Sequence, residues 1–254
     1  MLAVVTGFFI PAAGLGETDG PPGAVDLART RAELNIRVQI ATDPFCVPAV
    51  RAGLERTGRL DAVPVVTLPD TPTPADRADP AGWWERAGGV RPTHLLAIER
   101  VGPAADGRCY SMRGIDITER MRDAAWLFKV DIPTTGIGDG GNEIGMGKLP
   151  AERIAAHIPQ GDRIACRVAT DWLLVVGVSN WGAYALAAGV AVRRGYVPPA
   201  KWFDADEERA ILTAMVECGP LVDGVTGQRT ATVDGLSWDA YVAPLVHIGD
   251  RERT

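Results

Sequence analysis

Short apolar runs alternate along the chain with stretches of helical periodicity, the pattern expected of a parallel sheet covered by helices on both faces. Leu2 to Ile10 predicts a buried first strand and Ala24 to Leu34 a helix. Arg37 to Thr42 predicts a second strand, after which Asp43-Pro44 has the form of an N-cap and first helical residue for a helix reaching about Gly58. Val63 to Leu68 is the third strand, and the proline-rich stretch from Pro69 to Pro80 reads as a surface linker and the one candidate hinge. A helix over Ala81 to Ala87, a strand over Thr93 to Glu99, a loop or hairpin over Gly102 to Met112, a helix over Thr118 to Phe128 and a strand over Thr134 to Gly138 follow.

The second half is less regular. Pro150 to His157 predicts a short helix, Arg163 to Val168 and Trp172 to Val178 predict strands, and Ser179 opens a small-residue helix to Arg194. Asp206 to Cys218 is amphipathic, Val222 to Val233 alternates like a β-hairpin, and Ser237 caps a last helix that Pro244 should kink or end. The expected architecture over 1–254 is a single α/β domain. It has three layers, a mostly parallel twisted sheet with helices on both faces, and a small β-hairpin near the C-terminus.

Charge and cysteine usage narrow the function classes. The net charge of −6 argues against a nucleic-acid surface, where a basic face is expected. Four cysteines without a C-x-x-C pair fit reduced thiols in a cytoplasm. Met1 to Ile10 lacks the basic start of a signal peptide, and no apolar run approaches the roughly 20 residues needed to cross a bilayer. A soluble, cytoplasmic protein acting on a small molecule is the expectation, with a homo-oligomer left open. Trp83-Trp84 is expected to pack over the sheet.

The densest chemistry lies at Gly136 to Gly147, where six glycines surround Asp139, Asn142 and Glu143. Such a loop suits a cation or an amine, since it presents carboxylate and amide oxygens and no basic residue before Lys148. The spacing Gly136, Gly138, Gly141 formally matches G-x-G-x-x-G, but Asp139 inside the turn opposes a pyrophosphate. Ligands of open α/β sheets bind beyond the carboxyl ends of the strands. Glu17, Asp19, Asp43, Glu99, Asp139, Glu143 and Asp171 adjoin inferred strands, and several of them should meet on one rim. Crowded carboxylates call for a compensating cation or protons. Three histidines without i, i+4 spacing disfavour a zinc site, and oxygen ligands favour Mg²⁺ or Mn²⁺. Cys109 beside Arg108 reads as a bystander thiol rather than a nucleophile.

Glu17-Thr18-Asp19-Gly20-Pro21-Pro22-Gly23-Ala24, Ile98-Glu99-Arg100, Met112-Arg113-Gly114, Gly136 to Gly147 and Val178-Ser179-Asn180-Trp181-Gly182 together resemble the D-glutamate cyclase-like family over nearly the whole chain. The resemblance implies a carbon–oxygen lyase that closes D-glutamate to 5-oxo-D-proline with loss of water. On that reading a metal sits on Asp139 and Glu143, with Asn142 beside them, and Glu99 or Asp19 moves protons. Arg100 or Arg113 clamps the α-carboxylate. Glu17, Thr18, Gly20, Gly138, Gly140, Gly141, Ser179, Asn180 and Trp181 complete the substrate pocket. A non-catalytic module binding an amino acid or nucleotide, and a metal-dependent hydrolase or isomerase of a related acid, remain the alternatives.

Overall fold

A computed structural model describes residues 1–251. Six parallel strands form its sheet: β1 (Leu2–Thr6), β4 (Val38–Thr42), β5 (Val65–Thr67), β6 (His94–Ile98), β7 (Thr134–Gly138) and β8 (Trp172–Val175), in the spatial order β5-β4-β1-β6-β7-β8. Chain order reverses beside β1, so the loops after β1 and β6 diverge and leave a crevice at the carboxyl edge.

Alternate residues of each strand feed opposite layers. Val4, Ile40, Leu96 and Ile137 pack beneath α1 (Pro21–Glu33), α2 (Val47–Arg56), α7 (Ser179–Arg193) and α8 (Ala205–Glu217). Ala3, Val5, Ala41 and Leu95 face Trp83, Trp84 and Trp126 in the other layer, where Trp83 meets Trp126 edge-on at 5.5 Å. The tryptophan pair is thus core, as its sequence suggested.

Several boundaries differ from the sequence expectation, each for a tertiary reason. The first strand stops at Thr6 because Gly7 turns with φ 105°. Phe9–Ile10 (β2) then pairs antiparallel with Leu15–Gly16 (β3), so the small antiparallel sheet lies near the N-terminus. Val222 to Val233 is no hairpin. It is a loop gathered around buried Asp223, whose carboxylate accepts the Val225, Thr226 and Gly235 N–H groups at 3.0, 2.8 and 2.8 Å. Asp43 does not cap α2, which begins at Val47. Its buried carboxylate instead pairs with Arg100 and accepts the Arg122 N–H at 2.6 Å.

The proline-rich stretch contains α3 (Pro74–Ala78), opened by a reciprocal Thr73–Asp76 capping box, and α4 (Pro80–Arg86) follows directly. Thr118 to Phe128 forms two 3-10 turns, Thr118–Arg120 and Ala125–Phe128, instead of one helix. After α5 (Ala151–His157), the expected strand at Arg163 is replaced by α6 (Gly161–Ile164) and an extended segment. In α9 (Trp238–Arg251) the helix continues past Pro244. No helix among the described residues is long and apolar enough to cross a membrane.

Candidate functional site

Three carboxylates meet at the topological crevice. Asp19 comes from the β1–α1 connection, Glu99 from the end of β6 and Asp139 from the end of β7, and one oxygen of each lies within 4.8 Å of the others. They line a cavity of about 140 Å³ together with Glu17, Asp234, Arg113, Ser111 and Met112, under an apolar wall of Phe8 and Ile10.

Local backbone chemistry explains how each acid is held. Asp19 sits at the N-terminus of α7, where it accepts the Gly20, Ser179 and Asn180 N–H groups at 2.9, 2.7 and 2.8 Å. Those amides and the helix dipole favour its anion. Glu99 takes the left-handed conformation at φ 44°, rare for a side chain of its size, and accepts the Ser179 hydroxyl at 2.6 Å. Gly20, itself at φ 95°, makes room for it, because a Cβ there would lie 2.6 Å from Glu99 Cβ. Asn180 ties the pieces together. Its Oδ1 accepts the Gly20 and Gly23 N–H groups at 3.0 and 2.8 Å, which serves the start of α1, and its Nδ2 donates to the Thr18 carbonyl at 3.0 Å.

Burial dominates the electrostatics. The Asp19 carboxyl is pushed up to about 8 by burial and the Asp234 charge, against the pull of its three amides. Asp139 is pushed up to about 10 by burial, then by Asp19 and Glu143. Glu17 and Glu99 are also raised well above the carboxylate range, chiefly by burial, and Asp234 reaches about 6 for the same reason. None of these acids forms an ion pair with a Lys or Arg among the described residues. Such a cluster is costly unless a cation or protons occupy it, and its oxygen-only donor set suits a hard divalent ion. The residues present therefore fit a metal.

The carboxylates that meet here differ from the set read in the sequence as metal ligands. Glu143 folds back under its own loop and accepts the Asp139, Gly140 and Gly141 N–H groups at 3.1, 2.6 and 2.7 Å, so it shapes the turn that carries Asp139. Gly138 leaves space for that return, since a Cβ there would lie 2.9 Å from the Glu143 side chain. Asn142 donates to the Tyr110 carbonyl at 2.7 Å and stands outside the group of three carboxylates. Gly138, Gly140 and Gly141 support Glu143 and do not line the cavity. Arg100 is also displaced from its expected place. Fully buried, it pairs with Asp43 and reaches the Gly7 and Arg122 carbonyls, leaving Arg113 as the one guanidinium on the cavity among the described residues.

Trp181 packs in the core and donates to the Tyr241 carbonyl at 2.9 Å, so it walls no part of the cavity. Thr18 donates to the Thr232 carbonyl at 2.7 Å and pins the Asp223 loop beside the site. Asp171 lies at the opposite end of the sheet, accepting the Thr134 N–H at 2.8 Å where β7 begins. The Cys109 thiol is pushed up to about 12 by burial, which leaves it unreactive. Asp234 is the member that sequence reading missed. Its only signal is the Asp234-Gly235 turn, placed beyond what looked like a hairpin.

A family model described as D-glutamate cyclase-like, C-terminal matches residues 1–248. The chain belongs to that family. It is also 38% identical over 195 residues to the human protein named mitochondrial D-glutamate cyclase, a match covering 69% of this chain and 30% of the human one. The matched region is thus under a third of that relative's length. The family assignment agrees with the motif resemblance, and the motifs after β1 and β6 and the Asp139 turn after β7 are the segments that deliver the clustered acids.

Proposed function

We propose that this chain is a carbon–oxygen lyase that closes D-glutamate to 5-oxo-D-proline, using a divalent metal held by Asp19, Glu99 and Asp139. The observation that carries this reading is the buried, uncompensated carboxylate group at the crevice of a chain in the D-glutamate cyclase-like family. The name of the human relative supports the substrate class.

The reaction balances without a co-reactant. The α-nitrogen bonds to the carbon of the γ-carboxyl group, one C–O bond of that group breaks, and two protons from the ammonium group leave with that oxygen as water. Arg113, which lines the cavity and donates to the Val225 carbonyl at 3.0 Å, would hold the α-carboxylate by a bidentate contact. A cavity carboxylate that is ionised near neutrality and outside the metal group is suited to accept the first amine proton, and Asp234 at about 6 meets both conditions. Asp139, at about 10, keeps its proton only while the site is free of a cation; with the metal in place it would be a ligand, and the protons taken from the amine would return to the departing oxygen. The bound metal would supply Lewis-acid polarisation of the γ-carboxylate and neutralise the acids around it. Phe8 and Ile10 limit water, and the small cavity favours a folded substrate over an extended one.

The four thiols are unpaired, which supports a reducing compartment such as the cytoplasm. The test is purified chain, with Mn²⁺ or Mg²⁺ added, mixed with D-glutamate or L-glutamate and followed by proton NMR. Formation of 5-oxoproline from D-glutamate is expected. Saturable binding of intact D-glutamate with no turnover would instead favour the binding-module reading.

A further inference from the structure

A second cavity, of about 570 Å³, opens at the amino edge of the sheet, where β1 and β6 begin. It lies between the C-terminal ends of α1 and α7, at the other end of the strands from the acid cluster. Arg31, Arg37 and Arg194 line it, over an apolar floor of Leu96, Leu186 and Val190, and among the described residues no Asp or Glu contributes to its walls. In a chain with 32 acidic and 26 basic residues, three arginines converging without an acid is unusual.

None of the three forms an ion pair among the described residues. Arg31 is only 2% exposed, and its N–H groups reach the Ala187 and Leu186 carbonyls at 3.2 and 2.7 Å. Those contacts fix the guanidinium without neutralising it. Asp26 acts on Arg31 from a distance, yet its carboxylate is paired with Arg29 at 2.5 Å. Burial lowers Arg31 to about 10, the Asp26 charge opposing that shift and the neighbouring Arg194 charge adding to it. Arg194 is itself oriented by the Leu34 carbonyl at 3.4 Å. Buried charges in proteins are ordinarily paired.

We propose that this amino-edge cavity binds a small organic anion carrying two or more negative charges, phosphate or carboxylate, with its apolar body against Leu186 and Val190. Guanidinium groups match both oxyanions bidentately, and the volume falls within the roughly 300–1,000 Å³ range of small-molecule sites. This site is separate from the crevice, so it stands or falls independently of the cyclase reading.

Calorimetric titration of the full chain at constant ionic strength, with pyrophosphate, adenosine monophosphate and citrate as probes and adenosine as the uncharged control, tests it. At least one anion should bind, adenosine should not, Arg37→Ala should weaken binding at least tenfold, and the Arg37→Ala/Arg194→Ala pair should abolish it. Arg113→Ala, at the other cavity, should leave the affinity unchanged. Tighter binding of the phosphates assigns a phosphate ligand and tighter citrate a polycarboxylate. Absence of binding by all three anions would overturn the proposal, as would binding that Arg113→Ala removes and Arg37→Ala does not.

Discussion

Removing divalent cations and raising the pH should destabilise this protein, the reverse of the usual behaviour of native carboxylates. A carboxyl whose folded pKa exceeds its unfolded value binds its proton more tightly in the native state. Its contribution is complete below the unfolded value and is lost as pH rises through the folded one. For Asp19 the window runs from 3.8 to about 8. Between pH 5 and 8 this one group accounts for a loss of about 4 kcal/mol, given 1.36 kcal/mol per unit. Glu17, Glu99, Asp139 and Asp234 act in the same direction, and His94, lowered by burial, opposes them below its ordinary value.

A loss of about 4 kcal/mol is a large share of the 5–15 kcal/mol typical of whole proteins. With a urea slope of about 3 kcal/mol/M it corresponds to roughly a 1.3 M drop in midpoint. The assay is urea unfolding followed by circular dichroism at pH 5 and 8, in EDTA and then with Mn²⁺ or Mg²⁺ added. The cation should restore most of the loss at pH 8, because it replaces the protons that the cluster otherwise needs. A midpoint in EDTA that stays level or rises from pH 5 to 8 would refute the electrostatic reasoning, and a midpoint at pH 8 indifferent to cations would refute the metal site.

Substituting Asp139→Asn should leave metal-free stability at pH 8 within about 1 kcal/mol, since the acid is already protonated there, while Mn²⁺ affinity by calorimetry falls at least tenfold and turnover is lost. Gly20→Ala should cost roughly 2–4 kcal/mol in urea unfolding, because its Cβ would meet Glu99 at 2.6 Å and its φ is 95°. Gly189→Ala, where an added Cβ meets nothing within 4 Å inside α7, should instead stabilise by about 0.5–1 kcal/mol. The two arginines once interchangeable as clamps should separate. Arg100→Leu strands buried Asp43 and should lower stability by about 3–5 kcal/mol. Arg113→Ala, at an exposed residue, should shift stability by less than about 0.5 kcal/mol yet raise KM for D-glutamate at least tenfold.

Much of the layered α/β order was written locally. Apolar runs such as Ala3 to Thr6 and Leu95 to Ile98 are buried on both faces and read as strands without reference to anything else. The acids of the site were legible for the same reason: Asp19, Glu99 and Asp139 each follow a recognisable strand, and strand ends converge in a parallel sheet. What a side chain does after that point depends on non-local partners. Glu143 and Asp139 stand four residues apart in one turn, yet one is consumed by three backbone amides and the other faces the cavity. Arg100 follows a site residue directly and turns the other way, because Asp43, far off in sequence, lies buried beneath it. Asp234 enters only because Asp223 folds its loop against Thr18 and Glu17. Periodicity fixes which residues are buried and where strands end. Which of the crowded carboxylates keeps a free oxygen, and so which can hold a cation, is set by donors that arrive from other parts of the chain.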